Sequence, residues 1–482
     1  MPTFAAVDLG ATSGRVVNVQ IDDRTIELDV VRRFPTRSIA RQDGALVWDF
    51  DTLLDEIRRG LIDAAQRTPL TSVAVDGWGV DYGLLDATGK RIGPVHAYRS
   101  SRTDGVMDAV LGRVSKERIY GVTGVQFLPI NTLYQLVAAR DTPEYREASL
   151  LLMVPDLVNQ ALCGSTSNDV TDASTTQLLD VTRRTWSDDL VDALELRRDV
   201  LPDLHEPGSE LGLVRGIDPV VDGRPVIAAA SHDTACAVAG TPLRDATSDV
   251  YISCGTWALV GCELPAPVTT DAALAANVTN ELGVEGSVRL LKNVTGLWLL
   301  EECRRQWSDN GAEVSMQELT TAAEDVPAGR SVVNPDDPRF AAPGDLPARL
   351  AAACAESGQA VPSSPPEFAR LIFDSLALAW RTTVHTVEDV RGTAAEHIHL
   401  VGGGSAIPLL RRLCASACER TVLAGPVEAT VAGNAVVQAV AHGVLDDVSA
   451  GRRLVERALP PTPVRPEPML DWDELASRLA PA

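Results

Sequence analysis

A buried apolar run that ends on an acid and then turns on small residues limits most tightly how this chain can fold. Phe4-Ala-Ala-Val7 reads as a strand without a polar face, and Asp8 closes it. Gly10 and Gly14 bracket Ala11-Thr12-Ser13, residues small enough for a sharp turn. Val17, Val19 and Ile21 then alternate with Asn18 and Gln20, the period of a returning strand. The backbone N–H groups of such a turn can face open space, and concave clusters of amides bind anions, phosphate above all. Asp8 would repel a phosphate unless a cation lay between them, so the loop suggests a metal-bridged nucleotide. Arg15 offers the same phosphates a charge-assisted hydrogen bond. An ordinary hairpin with an acid and a base at its surface accounts for this stretch equally well. The spacing is not that of a P-loop, because no Gly-Lys-Ser/Thr follows.

Further along, residues 25–34 alternate as a third strand, and residues 51–65 carry Leu53, Leu54, Ile57, Leu61 and Ile62 on one helical face, with Asp51 as the expected cap. Residues 71–75 read as a strand that runs into Asp76-Gly-Trp-Gly-Val-Asp81. Strand, strand, strand, helix, strand is the order of a ribonuclease H-like or actin-like ATPase domain, an analogy of fold that says nothing of reaction. The second half echoes this layout: a strand over 249–252, a small-residue turn Ser253-Cys-Gly-Thr256, and a returning strand over 257–261. A long helix is predicted over 367–390. A strand over 397–401 then runs into Gly402-Gly-Gly404, placed to let backbone approach adenine or phosphate at the start of a helix.

Three other stretches carry candidate chemistry. Asp76 to Asp81 offers two carboxylates, an indole and two glycines at a strand end, which suits a polyol; Trp78 in the core with the acids capping turns suits the pattern better. A strand over 225–230 delivers Ser231-His-Asp-Thr234 to the start of a helix. There Asp233 is either a simple cap or a general base aimed into a cleft. Cys414 and Cys418 share a helix face, where two small buried side chains are favoured over a strained disulfide.

Composition removes several classes of function. A formal charge of −23 over 482 residues disfavours nucleic acid and anionic membrane as partners. No run of about 18 apolar residues and no basic-then-apolar leader is present, and eight scattered cysteines fit a reducing compartment, so a cytoplasmic protein is expected.

Taken together, these pieces resemble the FGGY carbohydrate kinases. The resemblance covers residues 5–442 and rests on Val7-Asp-Leu-Gly-Ala-Thr-Ser-Gly-Arg15, Trp78-Gly-Val-Asp-Tyr82, Gln126-Phe-Leu-Pro129 with Asn131-Thr-Leu-Tyr-Gln-Leu136, and Ser231-His-Asp-Thr234. Ser253-Cys-Gly-Thr-Trp257, Gly296-Leu-Trp-Leu-Leu300, Asp336-Asp-Pro-Arg-Phe340 and Gly425-Pro-Val-Glu-Ala-Thr430 follow in the family's order. The resemblance implies an α/β fold of two ribonuclease H-like (actin-like ATPase) domains, residues 1–243 and 244–482, with an interdomain cleft. It implies an enzyme that binds ATP with Mg²⁺ and phosphorylates a small ketose, L-rhamnulose at its 1-hydroxyl, with another ketose or polyol as the alternative acceptor. By motif, Ala11, Thr12, Ser13, Gly14 and Arg15 would hold ATP phosphates, with Thr256, Glu301 and Gly403 on the nucleotide from the second domain. Gly79, His232, Asp233, Thr234 and Asn293 would line the sugar site, Asp233 as the catalytic base. Asp8 would hold Mg²⁺, through water.

Four positions depart from the family's pattern: Gly77 and Ser100 where Thr and Asp are usual, Glu301 in place of Gln, and Ile407 in place of Asn. The first pair bears on sugar preference and the second on nucleotide binding. A sugar-sensing repressor on this fold would carry a helix-turn-helix and need not keep Asp233. An actin-type chaperone or filament protein would lack a sugar pocket.

Overall fold

The computed structural model describes residues 1–42, 44–244 and 248–479. They form two compact units: residues 1–242 with 263–290 and 429–459, and residues 243–262 with 291–428 and 460–479. Two segments from the second half of the sequence thus pack with the first unit.

The first unit is built on a six-stranded sheet in the order Glu210–Leu213, Pro225–Ile227, Ser72–Gly77, Thr3–Leu9, Ser13–Ile21, Ile26–Pro35. Thr3–Leu9 is buried along its whole length, as its lack of a polar face demands. It pairs antiparallel with the returning strand and parallel with Ser72–Gly77. Gly14 is needed in that hairpin: a Cβ there would lie 2.3 Å from the Phe34 ring across the sheet. The first helix, Phe50–Arg67, buries Leu53, Ile57, Leu61 and Ala64. Its N-cap is Asp49; Asp51 lies inside the first turn and pairs instead with Arg91 at 2.5 Å.

The strand expected over 225–230 stops at Ile227. Ala230, at φ 97°, lies in the region that L-residues avoid, so the chain kinks before Ser231 and enters the Asp233–Ala239 helix. That helix packs on Ala429–Ala441 with two glycines at the crossing. A Cβ on Gly433 would lie 1.8 Å from the Cys236 carbonyl oxygen, and one on Gly240 would lie 2.1 Å from that of Ala429.

The second unit repeats the plan. Val288–Thr295, Trp257–Leu264, Val250–Cys254, His397–Val401, Thr421–Ala424 and Thr462–Val464 are successive neighbours in its sheet. As in the first unit, an antiparallel hairpin flanks a strand whose other neighbour runs parallel. Pro365–Arg391 is the long helix predicted over 367–390, entered through two prolines and ended by Gly392 at φ 76°. All eight cysteines, Cys414 and Cys418 included, are buried free thiols. Among the described residues no helix is long and apolar enough to cross a membrane.

Candidate active site

Strand register places the first acids. Asp8 is the Cα partner of Arg15 on one side and of Asp76 on the other. Arg15 grips one Asp8 oxygen, Oδ2, with two donors, Nε at 2.8 Å and Nη2 at 2.6 Å. The turn is closed by Gly10 N–H donating to the Ser13 carbonyl at 3.0 Å, while Thr12 and Ser13 are exposed. Thr36, just past the third strand, steadies it: its hydroxyl donates to the Gly10 carbonyl at 2.6 Å and its N–H to that of Thr12.

Asp76 is fully buried. Its Oδ2 accepts from Asn434 Nδ2 at 2.6 Å, Asn434 Oδ1 accepts from Gln438 Nε2 at 2.7 Å, and Gln438 Oε1 accepts from the Ser72 hydroxyl at 2.7 Å. The other Asp76 oxygen, Oδ1, has no hydrogen-bond partner. Burial, followed by the charge of Asp8, holds this carboxyl well above the usual carboxylate range. Sequence reasoning missed Asn434 and Gln438. Their signal was two amides one turn apart in an otherwise apolar helix.

Asp233 is the first residue of its helix, and the cap position before it is His232. The carboxylate side chain keeps 30% of its surface exposed. Its Oδ1 accepts from the Thr234 hydroxyl at 3.1 Å and lies 3.5 Å from His232 Nε2. Burial raises its pKa, with His232 opposing the rise and Asp8 adding to it. Behind the Ser231–His232 kink lies a wholly buried polar group. Asp156 accepts from the Ser231 hydroxyl at 3.3 Å and from Asp169 N–H at 2.9 Å, and His205 Nε2 stands 3.7–3.8 Å from both carboxylates. Burial pushes Asp156 up to about 6, against the pull of His205. Thr171, tied to Asp169 through its hydroxyl, accepts from His232 N–H at 3.2 Å.

Gly79 sits where a Cβ would meet the Thr175 hydroxyl at 2.9 Å and Asp172 Oδ1 at 3.2 Å. Val80 next to it has φ 66°, costly for a β-branched residue, and is pinned by three bonds. Its N–H donates to Thr175 Oγ1, and its carbonyl accepts from Thr132 Oγ1 and Gln135 Nε2. Trp78 is core, its ring centroid 4.5 Å from that of Trp48 with the planes tilted at 45°. Asp81 is a buried hub whose carboxylate accepts from Trp48 Nε1 at 2.6 Å, Trp78 Nε1 at 3.1 Å, Tyr98 N–H at 3.1 Å and Gln135 Nε2 at 2.9 Å. Gly77 and Ser100 are both buried: a Gly77 Cβ would press on Leu9 and Pro155 at 3.2 Å, and Ser100 Oγ accepts from Leu46 N–H.

In the second unit, Thr256, Glu301 and Gly403 gather around Leu297. The Thr256 carbonyl accepts from Gly296 and Trp298 N–H, Leu297 N–H donates to Gly255, and Glu301 N–H donates to Leu297. Gly403 is exposed, 4.0 Å from the Leu297 side chain measured from its Cβ position. The Glu301 carboxylate pairs with Arg304 at 2.7 Å. Asn293 lies on the strand Val288–Thr295. Ile407 is the buried residue before the Pro408–Cys418 helix.

One sheet plan used twice, with a small-residue hairpin in each copy, is the plan of the actin-like class of two-domain α/β proteins. The models of the FGGY family of carbohydrate kinases match residues 3–240 with the N-terminal domain and 250–442 with the C-terminal domain. The rhamnulokinase of Pectobacterium carotovorum subsp. carotovorum (strain PC1) is 43% identical over 465 residues, 95% of this chain and 92% of that one. That of Enterobacter sp. (strain 638) is 42% identical over 455 residues, 93% and 91% of the two chains. Among solved structures, the ligand-bound xylulose kinase from Lactobacillus acidophilus superposes with a TM-score of 0.76 at 16% identity, covering 99% of this chain and 96% of that chain. Plasmodium falciparum glycerol kinase with ADP gives 0.77 at 15%, covering 99% and 97%. The chain belongs to the FGGY family of carbohydrate kinases and is an ATP-dependent sugar kinase of two-domain α/β fold.

Proposed function

We propose that this kinase transfers the γ-phosphoryl group of ATP to the 1-hydroxyl of L-rhamnulose, giving ADP and L-rhamnulose 1-phosphate, with Asp233 as general base. The observation that carries the chemistry is the Asp233 carboxylate, half-open at a helix start and flanked by His232 and Thr234. The sugar follows from relatives named rhamnulokinase that match 93–95% of this chain. Asp233 takes the proton from the sugar hydroxyl as its oxygen bonds to the γ-phosphorus, and the bond to the β–γ bridging oxygen breaks, leaving ADP with that electron pair. The burial that raises the pKa of Asp233 makes the carboxylate a better proton acceptor. Gly79, His232, Thr234 and Asn293 orient the sugar. Ala11 to Arg15 hold the phosphates, with Thr256, Gly403 and Glu301 at the nucleotide. Phosphoryl transfer asks chiefly for such positioning and for charge stabilisation.

Asp8 is the residue to hold Mg²⁺, and an orphaned, buried Asp76 oxygen on the adjoining strand fits a neighbouring cation. Among the described residues no group of three or more His, Cys, Asp or Glu could hold a metal; Mg²⁺ commonly keeps several waters and binds through one or two carboxylates with substrate phosphates. Bound there, Mg²⁺ would neutralise phosphate charge. The eight free thiols fit a cytoplasmic setting.

Two measurements test this reading. A coupled ADP-release assay over L-rhamnulose, L-fuculose, L- and D-xylulose, L- and D-ribulose and glycerol should give L-rhamnulose the highest kcat/KM; a preference for another acceptor overturns the sugar. Asp233→Asn should lose about 10²- to 10⁴-fold in kcat, the range for removing a general base, with ATP affinity and Tm nearly unchanged. A folded variant working within a few-fold of the parent removes Asp233 from the mechanism.

A further inference from the structure

His232 is held from behind by a buried pair that none of the motifs contains. Its Nδ1 lies 3.2 Å from Glu281 Oε2 and 3.2 Å from Arg289 Nη2. Arg289 Nη1 lies 3.2 Å from the same Glu281 oxygen, and Arg289 Nε and Nη2 both donate to the Leu282 carbonyl, at 3.2 and 3.1 Å. Glu281 and Arg289 sit on the neighbouring strands Thr279–Leu282 and Val288–Thr295, and both are buried, Arg289 completely. Two charged side chains are therefore withdrawn from water directly behind one imidazole.

We infer that Glu281 and Arg289 are positioning residues for phosphoryl transfer, acting through His232. The inference rests on the reading of His232 as a sugar ligand beside the base. A guanidinium only donates and a carboxylate only accepts. The contact at Nδ1 that has hydrogen-bond geometry comes from Arg289 Nη2, so Nδ1 accepts and the ring proton sits on Nε2. That fixes the ring plane and the tautomer together. Nε2–H, 3.5 Å from Asp233 Oδ1, then faces the site as a donor to a sugar hydroxyl. Arg289 selects the tautomer, and Glu281, 3.2 Å from Arg289 Nη1, holds the guanidinium in place. Both can do so without touching substrate.

A double-mutant cycle separates this role from plain structural support. Glu281→Ala should lower kcat/KM for the sugar about tenfold, within the range for coupled neighbours, with the KM for ATP within twofold of the parent. Glu281→Gln, whose amide oxygen can still face the Arg289 guanidinium, should recover most of that loss. In a His232→Ala background, Glu281→Ala should cost no further activity. Where Glu281→Ala does not fold, Glu281→Leu with Arg289→Met removes both charges without leaving either unpaired, and takes its place in the cycle. Additive losses overturn the inference, as does a loss in Glu281→Ala with none in His232→Ala. Full activity in both variants overturns the reading of His232 as a sugar ligand, and the inference with it.

Discussion

Substituting Gly433 by Ala should damage catalysis without touching any group that meets substrate. The added Cβ would stand 1.8 Å from the carbonyl oxygen of Cys236 and 2.7 Å from Gly240 N, whereas real contacts of this kind stay at or above 3.0 Å. Both obstacles are backbone, so no side chain can rotate away and one helix must retreat by about 1 Å. If the Asp233–Ala239 helix moves, Asp233 goes with it, because Cys236 lies one turn further on and its N–H bonds to the His232 carbonyl. If Ala429–Ala441 moves instead, Asn434 is drawn off Asp76. A misplacement of about 1 Å costs about 10²-fold in rate, and overpacking costs about 1–3 kcal/mol of stability. Steady-state kcat, both KM values and Tm on one preparation would test this, with Gly121→Ala as the control. Gly121 is a helical glycine with open space where its Cβ would go, and it should tolerate alanine or gain slightly in stability. A Gly433→Ala enzyme with kcat within threefold of the parent and an unchanged Tm would refute the argument.

Asp8→Ala should lower kcat by about 10²-fold or more and weaken the dependence on Mg²⁺ while sugar KM stays within a few-fold; full activity with the same Mg²⁺ requirement would make Asp8 structural. Burial lifts Asp81 to about 6 in the folded protein, against the pull of its four hydrogen-bond donors, from about 4 in the unfolded chain. Its contribution to stability is therefore fully present below pH 4 and lost as pH rises through 6. The stability of the parent relative to Asp81→Asn should fall by about 2–3 kcal/mol between pH 4 and pH 7, read from denaturant melts; a difference that does not vary with pH would count against the hub.

Elements whose signal lies in adjacent residues were legible in the sequence. The first hairpin follows from an apolar run and an alternating return, and His397–Val401 matches to the residue because glycine ends it. The strand before Ser231 came out three residues short because Ala230 takes a conformation its side chain does not announce. Asp81 could not be read as a hub, since its donors Trp48, Trp78, Tyr98 and Gln135 come from four separate segments. The packing of 263–290 and 429–459 with the first unit is equally non-local, and with it came Glu281, Arg289, Asn434 and Gln438. What local periodicity cannot carry is which distant strand or helix closes around an acid.

Those distant contacts explain how one unit of a chain with a charge of −23 keeps several carboxylates together. Each is given a different partner: Arg15 for Asp8, the Asn434 amide for Asp76, His232 for Asp233. On the proposed function, the first pair is the one that a nucleotide would disturb. On the proposed reading, Arg15 is wanted by phosphate while its guanidinium is spent on Asp8, only 10% exposed at the side chain. Taking Arg15 alone would leave a poorly solvated carboxylate beside Asp76, a repulsive arrangement in a site of low dielectric. A nucleotide arriving with its divalent cation would exchange both partners at once, phosphate for Asp8 at Arg15 and cation for Arg15 at Asp8. Neither charge is left bare. ATP without the cation should therefore bind more weakly than its charge complementarity to Arg15 alone suggests.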